Sequence, residues 1–267
     1  MSAFMYGINL HANGIRQHVL RYGGKGQPLL LIPGITSPAI TWGFVAEALA
    51  TYADVYVLDV RGRGLSESGP HLAYDIDSYA ADAAAIAQAL GLQNYILLGH
   101  SMGARIALRV GHHHPAALGG MILVDPPVSG PGRREYPAKL PWYVDSIRHS
   151  IKGMSAEEMR AFCPSWTLEQ LQLRAEWLHT CDEAAVVETF ERFHTEDIHQ
   201  DIPHIPCPAL LVVATRGGVI LPEDEAEIRS LCPRIEMTHI PDAGHMIPWD
   251  NLSGFVDAVQ AFLKTER

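Results

Sequence analysis

Residues Tyr95-Ile96-Leu97-Leu98-Gly99-His100-Ser101-Met102-Gly103-Ala104-Arg105 constrain this chain more than any other stretch. A short apolar run, a Gly-x-Ser-x-Gly turn and an Ala/Leu-rich helical pattern predict a strand, a sharp turn and a helix. Ser101 then sits on a strained turn with its hydroxyl exposed at the top of a parallel sheet. Gly99 and Gly103 flank it because side chains there would collide with the strand and helix packed on either side.

The rest of the chain supplies such a sheet. Residues 5–23 read as two strands joined at Ala12-Asn13-Gly14, since Asn-Gly favours the turn of a tight hairpin. Further strands are expected at Pro28–Ile32, Asp54–Asp59, Gly120–Asp125, Ala209–Ala214 and Glu236–Ile240, and helices at Trp42–Tyr52, Ile76–Leu90, Glu223–Leu231 and Asn251–Thr265. Strands alternating with helices imply a mostly parallel sheet covered on both faces. From Pro127 to Pro206 the alternation stops. Pro/Gly-rich turns and helical patterns bearing Trp142, Trp166 and Trp177 replace it, and Ser155–Glu158 and Thr167–Gln170 read as capping boxes. The expected organisation is a core of residues 1–126 and 207–267, with 127–206 as a helical cap inserted after the sixth strand.

At 267 residues and 48% hydrophobic, the chain can bury one large core. Its net charge of −10, without a basic run, argues against nucleic acid or an anionic membrane as partner. A small molecule is expected instead, and an anionic one needs local positive charge. No apolar stretch is long enough to span a bilayer. The first residues lack a basic segment followed by an apolar one, so no signal peptide is expected and the location is taken as cytoplasmic. Cys163, Cys181, Cys207 and Cys232 are scattered without metal spacing and are read as reduced thiols.

A serine hydroxyl needs a base to become a nucleophile, and the base needs an orienting acid. His245, in Pro241-Asp242-Ala243-Gly244-His245-Met246, follows the last strand, where a loop can return over the sheet's C-terminal edge. The Gly-x-Ser-x-Gly turn, the Gly-His loop and the alternation together resemble the α/β-hydrolase superfamily over essentially the whole chain. Two further segments match it: Ile32-Pro33-Gly34-Ile35 resembles the His-Gly-type oxyanion loop, with Pro33 where many members carry His, and Asp59–Ser66 resembles the Asp-x-x-Gly-x-Gly-x-Ser loop. The resemblance implies an α/β-hydrolase fold and an oxyanion hole formed by the backbone N–H groups of Ile35 and Met102.

The acid departs from the family's common pattern. Most relatives place it after the seventh strand, shortly before a proline, but here Gly218 holds that position and no acid appears until Glu223. Asp125 ends the preceding strand, beside the Ser101 strand, and is the favoured third member. Glu223 is the reserve, although a carboxylate there also suits a helix start. Arg133 and Arg134, at the entry to the cap, are the candidate grip for a substrate carboxylate. His112-His113-His114 is read as a helix end, because adjacent helical histidines point in different directions, and no metal or other cofactor is expected. Arg61 and Arg63 are read as braces of their own loop.

Ser101, Asp125 and His245 in this order argue for acyl transfer to water. Their placement, the chain length and the acid after the sixth strand are similar to the N-formylmaleamate deformylases of nicotinate or nicotine breakdown. That resemblance implies hydrolysis of N-formylmaleamate to maleamate and formate. A carboxylesterase or enol-lactonase with the same triad stays open, as does a ligand-binding protein built on a retained hydrolase scaffold.

Overall fold

The computed structural model describes residues 2–265. Eight strands, β1 (Tyr6–Ala12), β2 (Ile15–Gly23), β3 (Pro28–Ile32), β4 (Asp54–Asp59), β5 (Tyr95–His100), β6 (Leu118–Val124), β7 (Ala209–Ala214) and β8 (Glu236–Ile240), form one sheet in the order β1-β2-β4-β3-β5-β6-β7-β8. The first hairpin turns on Asn13 and Gly14, both at positive φ, and β2 also runs antiparallel to β4. The remaining neighbours are parallel.

Strand residues alternate between two cores. On one face Leu30, Leu97, Leu123 and Leu211 pack with α2 (Ile76–Ala89) and α3 (Met102–His113). On the other, Leu29, Leu98, Ile122 and Val212 pack with α1 (Gly43–Leu49) and the C-terminal helix Leu252–Thr265. Burial on both faces explains why these strands read as continuous apolar runs rather than as polar–apolar alternation.

Differences from the sequence reading lie at element ends. β6 begins at Leu118, two residues before the expected Gly120, because Leu118 pairs with Tyr95. A short 3-10 turn, Ala39–Trp42, precedes α1, which stops at Leu49. Between β6 and β7, residues 127–206 contain α4 (Leu140–Ile151), α5 (Ala156–Met159), α6 (Leu168–Trp177) and α7 (Glu183–Thr195), and no strand among the described residues. Both capping boxes form, at Ser155–Glu158 and Thr167–Gln170. After β7 come α8 (Pro222–Leu231), and after β8 a short α9 (Ile247–Asp250) and α10 (Leu252–Thr265).

From β3 the chain moves outward to β4, then crosses back past β3 to β5 and on to β6, so the direction of strand addition reverses between β3 and β5. A crevice opens at such a switch point, outside the carboxyl ends of the strands. Ile35 and Ser101 both lie there.

Candidate active site

Ser101 follows β5 directly and has φ 55°, ψ −116°, a conformation that costs an L-residue roughly 1–3 kcal/mol. The surrounding contacts impose it. A Cβ on Gly103 would lie 2.0 Å from the Ile32 carbonyl oxygen, and one on Gly99 would lie 2.1 Å from the Gly103 oxygen. Only glycine lets β3, β5 and α3 approach this closely. Asp125 stands at the matching position of the next strand, since His100 pairs with Val124. It too has positive φ, 45°. The Ser101 N–H donates to Val124 O (2.8 Å) and the Asp125 N–H to Val212 O (2.9 Å), so one ladder pattern carries both tips.

His245, between β8 and α9, closes the arrangement. Its Nε2 is 2.9 Å from Ser101 Oγ and its Nδ1 is 2.7 Å from Asp125 Oδ2. A carboxylate can only accept, so Nδ1 carries the proton and Nε2 presents its lone pair to the serine hydroxyl. Asp125 is fully buried and accepts a long bond from the Ala214 N–H (3.4 Å). The usual acid position, Gly218, has open space beside it, with nothing among the described residues within 4 Å of a Cβ, while its neighbour Gly217 packs against the Asp125–His245 pair. A Cβ on Gly217 would lie 3.2 Å from Asp125 Oδ2 and 3.3 Å from the His245 nitrogen, and Gly218 has φ 64°. Glu223 lies exposed in the first turn of α8 and does not join this chain of hydrogen bonds. Arg216 donates to the Asp242 carbonyl, and Gly244 N–H to Asp250 Oδ2 (2.8 Å), which fixes the histidine loop.

A cavity of about 620 Å³ opens over Ser101 and His245. Ile35 lines it, and the Ile35 and Met102 amides donate to no acceptor among the described residues. Met102 is the first residue of α3, where an amide has no intrahelical partner. Two such donors, beside the Ser101 hydroxyl, are placed where they can receive a developing oxyanion. His100 lies beneath, its Nε2–H donating to the His245 carbonyl (2.9 Å). Burial pushes its pKa down to about 3, so it is a neutral packing and hydrogen-bonding group.

Residues 127–206 supply the roof: Tyr136, Trp142, Tyr143, Phe162 and Trp166 all border the cavity, whereas Phe190 does not. Tyr136, which sequence reasoning missed, brings its hydroxyl to 3.1 Å from His245 Nε2. Burial holds that phenol well above its ordinary pKa, so it stays protonated. No periodic pattern surrounds Tyr136 that could have singled it out.

The cations are distributed differently from the sequence expectation. Arg133 and Arg134 do not border the cavity. Arg133 forms a two-pronged pair with Glu227 (2.7 and 2.8 Å), and Arg134 pairs with Asp224 and the Val219 carbonyl (3.0 Å). Both are drawn to the acidic face of α8, a contact that neither segment announces by itself. Arg174, on α6, borders the cavity instead. It occupies a helical face with Leu171 and Ala175, and an arginine at an apolar-face position was the available signal.

Other buried arginines brace the site. Arg61 binds Asp82 (2.5 and 2.7 Å). Arg63 joins the Ile35 carbonyl (3.0 Å) to Thr189 of α7 (3.0 Å), so it reaches past its own loop. Arg105 of α3 donates to the carbonyls of Pro127, Ser129 and Glu196 (2.7, 3.0 and 2.8 Å), clasping both ends of the helical insertion. At the far end of α3, donor atoms of His112, His113 and Asp201 lie within 4.8 Å of one another. Arg109 (3.0 Å) already offsets the Asp201 charge there, and His112 (2.8 Å) already occupies its other oxygen. All four cysteines are buried.

Residues 27–252 match the α/β hydrolase fold family. Over 263 residues, 98% of each chain, the sequence is 64% identical to an N-formylmaleamate deformylase of Pseudomonas putida. A crystal structure of an N-formylmaleamic acid deformylase, also from Pseudomonas putida, superposes with a TM-score of 0.92 at 57% identity, covering 95% of this chain and all of that one. An enol-lactonase from Burkholderia xenovorans superposes with a TM-score of 0.75 at 19% identity, covering 96% of this chain and 100% of that one, a likeness of fold alone.

Proposed function

This chain belongs to the α/β-hydrolase fold family, and we propose that within it the protein is an N-formylmaleamate deformylase that uses Ser101, His245 and Asp125. The observation that carries the substrate is the 64% identity to such an enzyme across nearly the full length of both chains. The chemistry is supported by the hydrogen-bonded line from Ser101 through His245 to Asp125 beneath the cavity.

His245 Nε2 takes the Ser101 proton as Oγ attacks the formyl carbon. That carbon is electrophilic and open, because two carbonyls share the lone pair of the nitrogen. The Ile35 and Met102 amides hold the oxyanion. Collapse breaks the C–N bond, His245 returns its proton to the departing nitrogen, and maleamate leaves with Ser101 formylated. Water, deprotonated by His245, then releases formate and restores the serine. Asp125 keeps the imidazole in the correct tautomer throughout. The only co-reactant in these steps is water.

Residues 127–206 form the cap that roofs this site, and the substrate is a small anion. No helix among the described residues is long and apolar enough to cross a membrane, and the protein acts in the cytoplasm. Purified protein given N-formylmaleamate is expected to release formate and maleamate in equal amounts, with p-nitrophenyl acetate and small lactones much poorer by kcat/KM. Turnover of esters or lactones with no formate from N-formylmaleamate would overturn the assignment.

A further inference from the structure

Arg174 presents a buried cation whose surroundings leave part of it unused. The residue is 3% exposed, yet it forms no ion pair among the described residues. Its Nη1 donates to the Thr36 carbonyl (3.0 Å) and its Nη2 to Thr36 Oγ1 (3.1 Å). The Nε–H has no hydrogen-bond partner among the described residues. Trp142 and Trp166 lie against the guanidinium, at 5.9 and 5.5 Å from ring centroid to Cζ. Indole faces attract a cation but leave its N–H edge unsatisfied. Burying a charge without an opposite charge is costly, and a protein with a net charge of −10 gains local positive potential for an anion only where such a cation stands.

The other charges around the cavity do not serve that purpose. Lys139 is exposed and sits 3.7 Å from Glu135. Asp250 accepts from the Gly244 N–H (2.8 Å) and from Ser165 (3.3 Å). We propose that Arg174, which borders the cavity, is the carboxylate anchor of the substrate site, offering the acid its unpartnered Nε–H while its other nitrogens hold Thr36. A guanidinium edge matches a carboxylate with two parallel N–H···O bonds. Thr36 follows Ile35, so the same side chain that binds the acid also holds the loop that offers the Ile35 amide. Selection for a carboxylate and alignment of the oxyanion loop are thus joined in one residue.

The inference rests on the deformylase reading for the identity of the natural acid, but its test does not. Two formate esters share one scissile bond: that of 4-hydroxybenzoate, which bears a carboxylate on the leaving group, and that of methyl 4-hydroxybenzoate, which is neutral. Wild-type protein is expected to favour the acid in kcat/KM. In Arg174→Met that preference should fall by roughly 100-fold, chiefly through KM, and Arg174→Lys should restore part of it. Thr36→Val, which removes the hydroxyl contact but leaves the cation, should lower kcat for both esters alike and keep the preference. Circular dichroism melting checks that each variant is folded. A folded Arg174→Met that loses activity on both esters equally, or keeps the wild-type preference, would overturn the anchor. If the deformylase reading alone is wrong, N-formylmaleamate yields no formate while the acid preference and its loss in Arg174→Met remain.

Discussion

Ser101 and Asp125 each stand one residue past the end of a buried strand, whereas Tyr136, Trp142 and Arg174 reach the same cavity from residues 127–206. The strand tips are fixed by ladder hydrogen bonds and by apolar packing on two faces of the sheet. The helical insertion is tied down by buried guanidinium groups, with Arg105 donating to three of its carbonyls and Arg63 and Arg174 joining α7 and α6 to the Ile35–Thr36 loop. The sheet therefore sets Ser101 and Asp125 with little freedom. The insertion joins the apolar cluster on one face of the sheet, through Tyr143, Leu171, Phe190 and Phe193 among others, and adds these polar contacts, which can be altered without touching the strands.

Single substitutions can break this contrast from either side. Leu98→Ala, in the middle of β5 and fully buried, should lower the stability of the whole chain by about 2–5 kcal/mol, with one cooperative unfolding transition in urea. Arg105→Met leaves the Pro127, Ser129 and Glu196 carbonyls without their donor, at about 1–3 kcal/mol for each that stays buried and unpaired. Its signature should be local: limited proteolysis should cut first within residues 127–206, at denaturant levels where the Leu98→Ala protein still shows an uncut insertion. Identical cleavage patterns in the two variants would remove the distinction.

Acid should act through the sheet side. Burial holds His100 neutral in the folded protein down to about pH 3, from an ordinary value of 6.5. Between these values the unfolded chain binds a proton that the folded chain does not, so stability falls as pH falls through this window, by about 2 kcal/mol at pH 5. His100→Gln should flatten the slope of Tm against pH between 6.5 and 5, even if Tm itself drops. An unchanged slope would show that other groups control acid stability.

The smallest effect is expected from the insertion. Tyr136→Phe removes the hydroxyl 3.1 Å from His245 Nε2 and should lower kcat/KM by about tenfold, the size of one hydrogen bond. A thousandfold loss would make Tyr136 a proton-transfer group, and no change would leave it a wall of the cavity.

The same contrast sets what the sequence discloses. Strand positions were legible because burial on both faces leaves unbroken apolar runs, and the Ser101 turn because Gly99 and Gly103 have no room for a side chain. With no acid at Gly218, Asp125 was legible as the third member, and the structure sets it 2.7 Å from His245 Nδ1. The insertion was legible as helices through its capping boxes but not in its contacts. Arg133 and Arg134 stand in sequence where a substrate anchor would suit, yet Glu227 and Asp224 of α8, some ninety residues onward, engage them. Tyr136 reaches His245 only through tertiary packing, and Arg174 differed from a solvated arginine only by falling on the same helical face as Leu171.

In the proposed mechanism the acid of this site lies at the tip of β6 rather than in the loop after β7. The most direct measurement is kcat for formate release by Asp125→Asn beside Glu223→Ala. Asp125→Asn, which keeps the shape but loses the charge that fixes the His245 tautomer, is expected to lower kcat by roughly 10,000-fold, and Glu223→Ala to leave it within about twofold, since surface changes away from such features are nearly silent. A near-wild-type Asp125→Asn together with an inactive, folded Glu223→Ala would contradict the account.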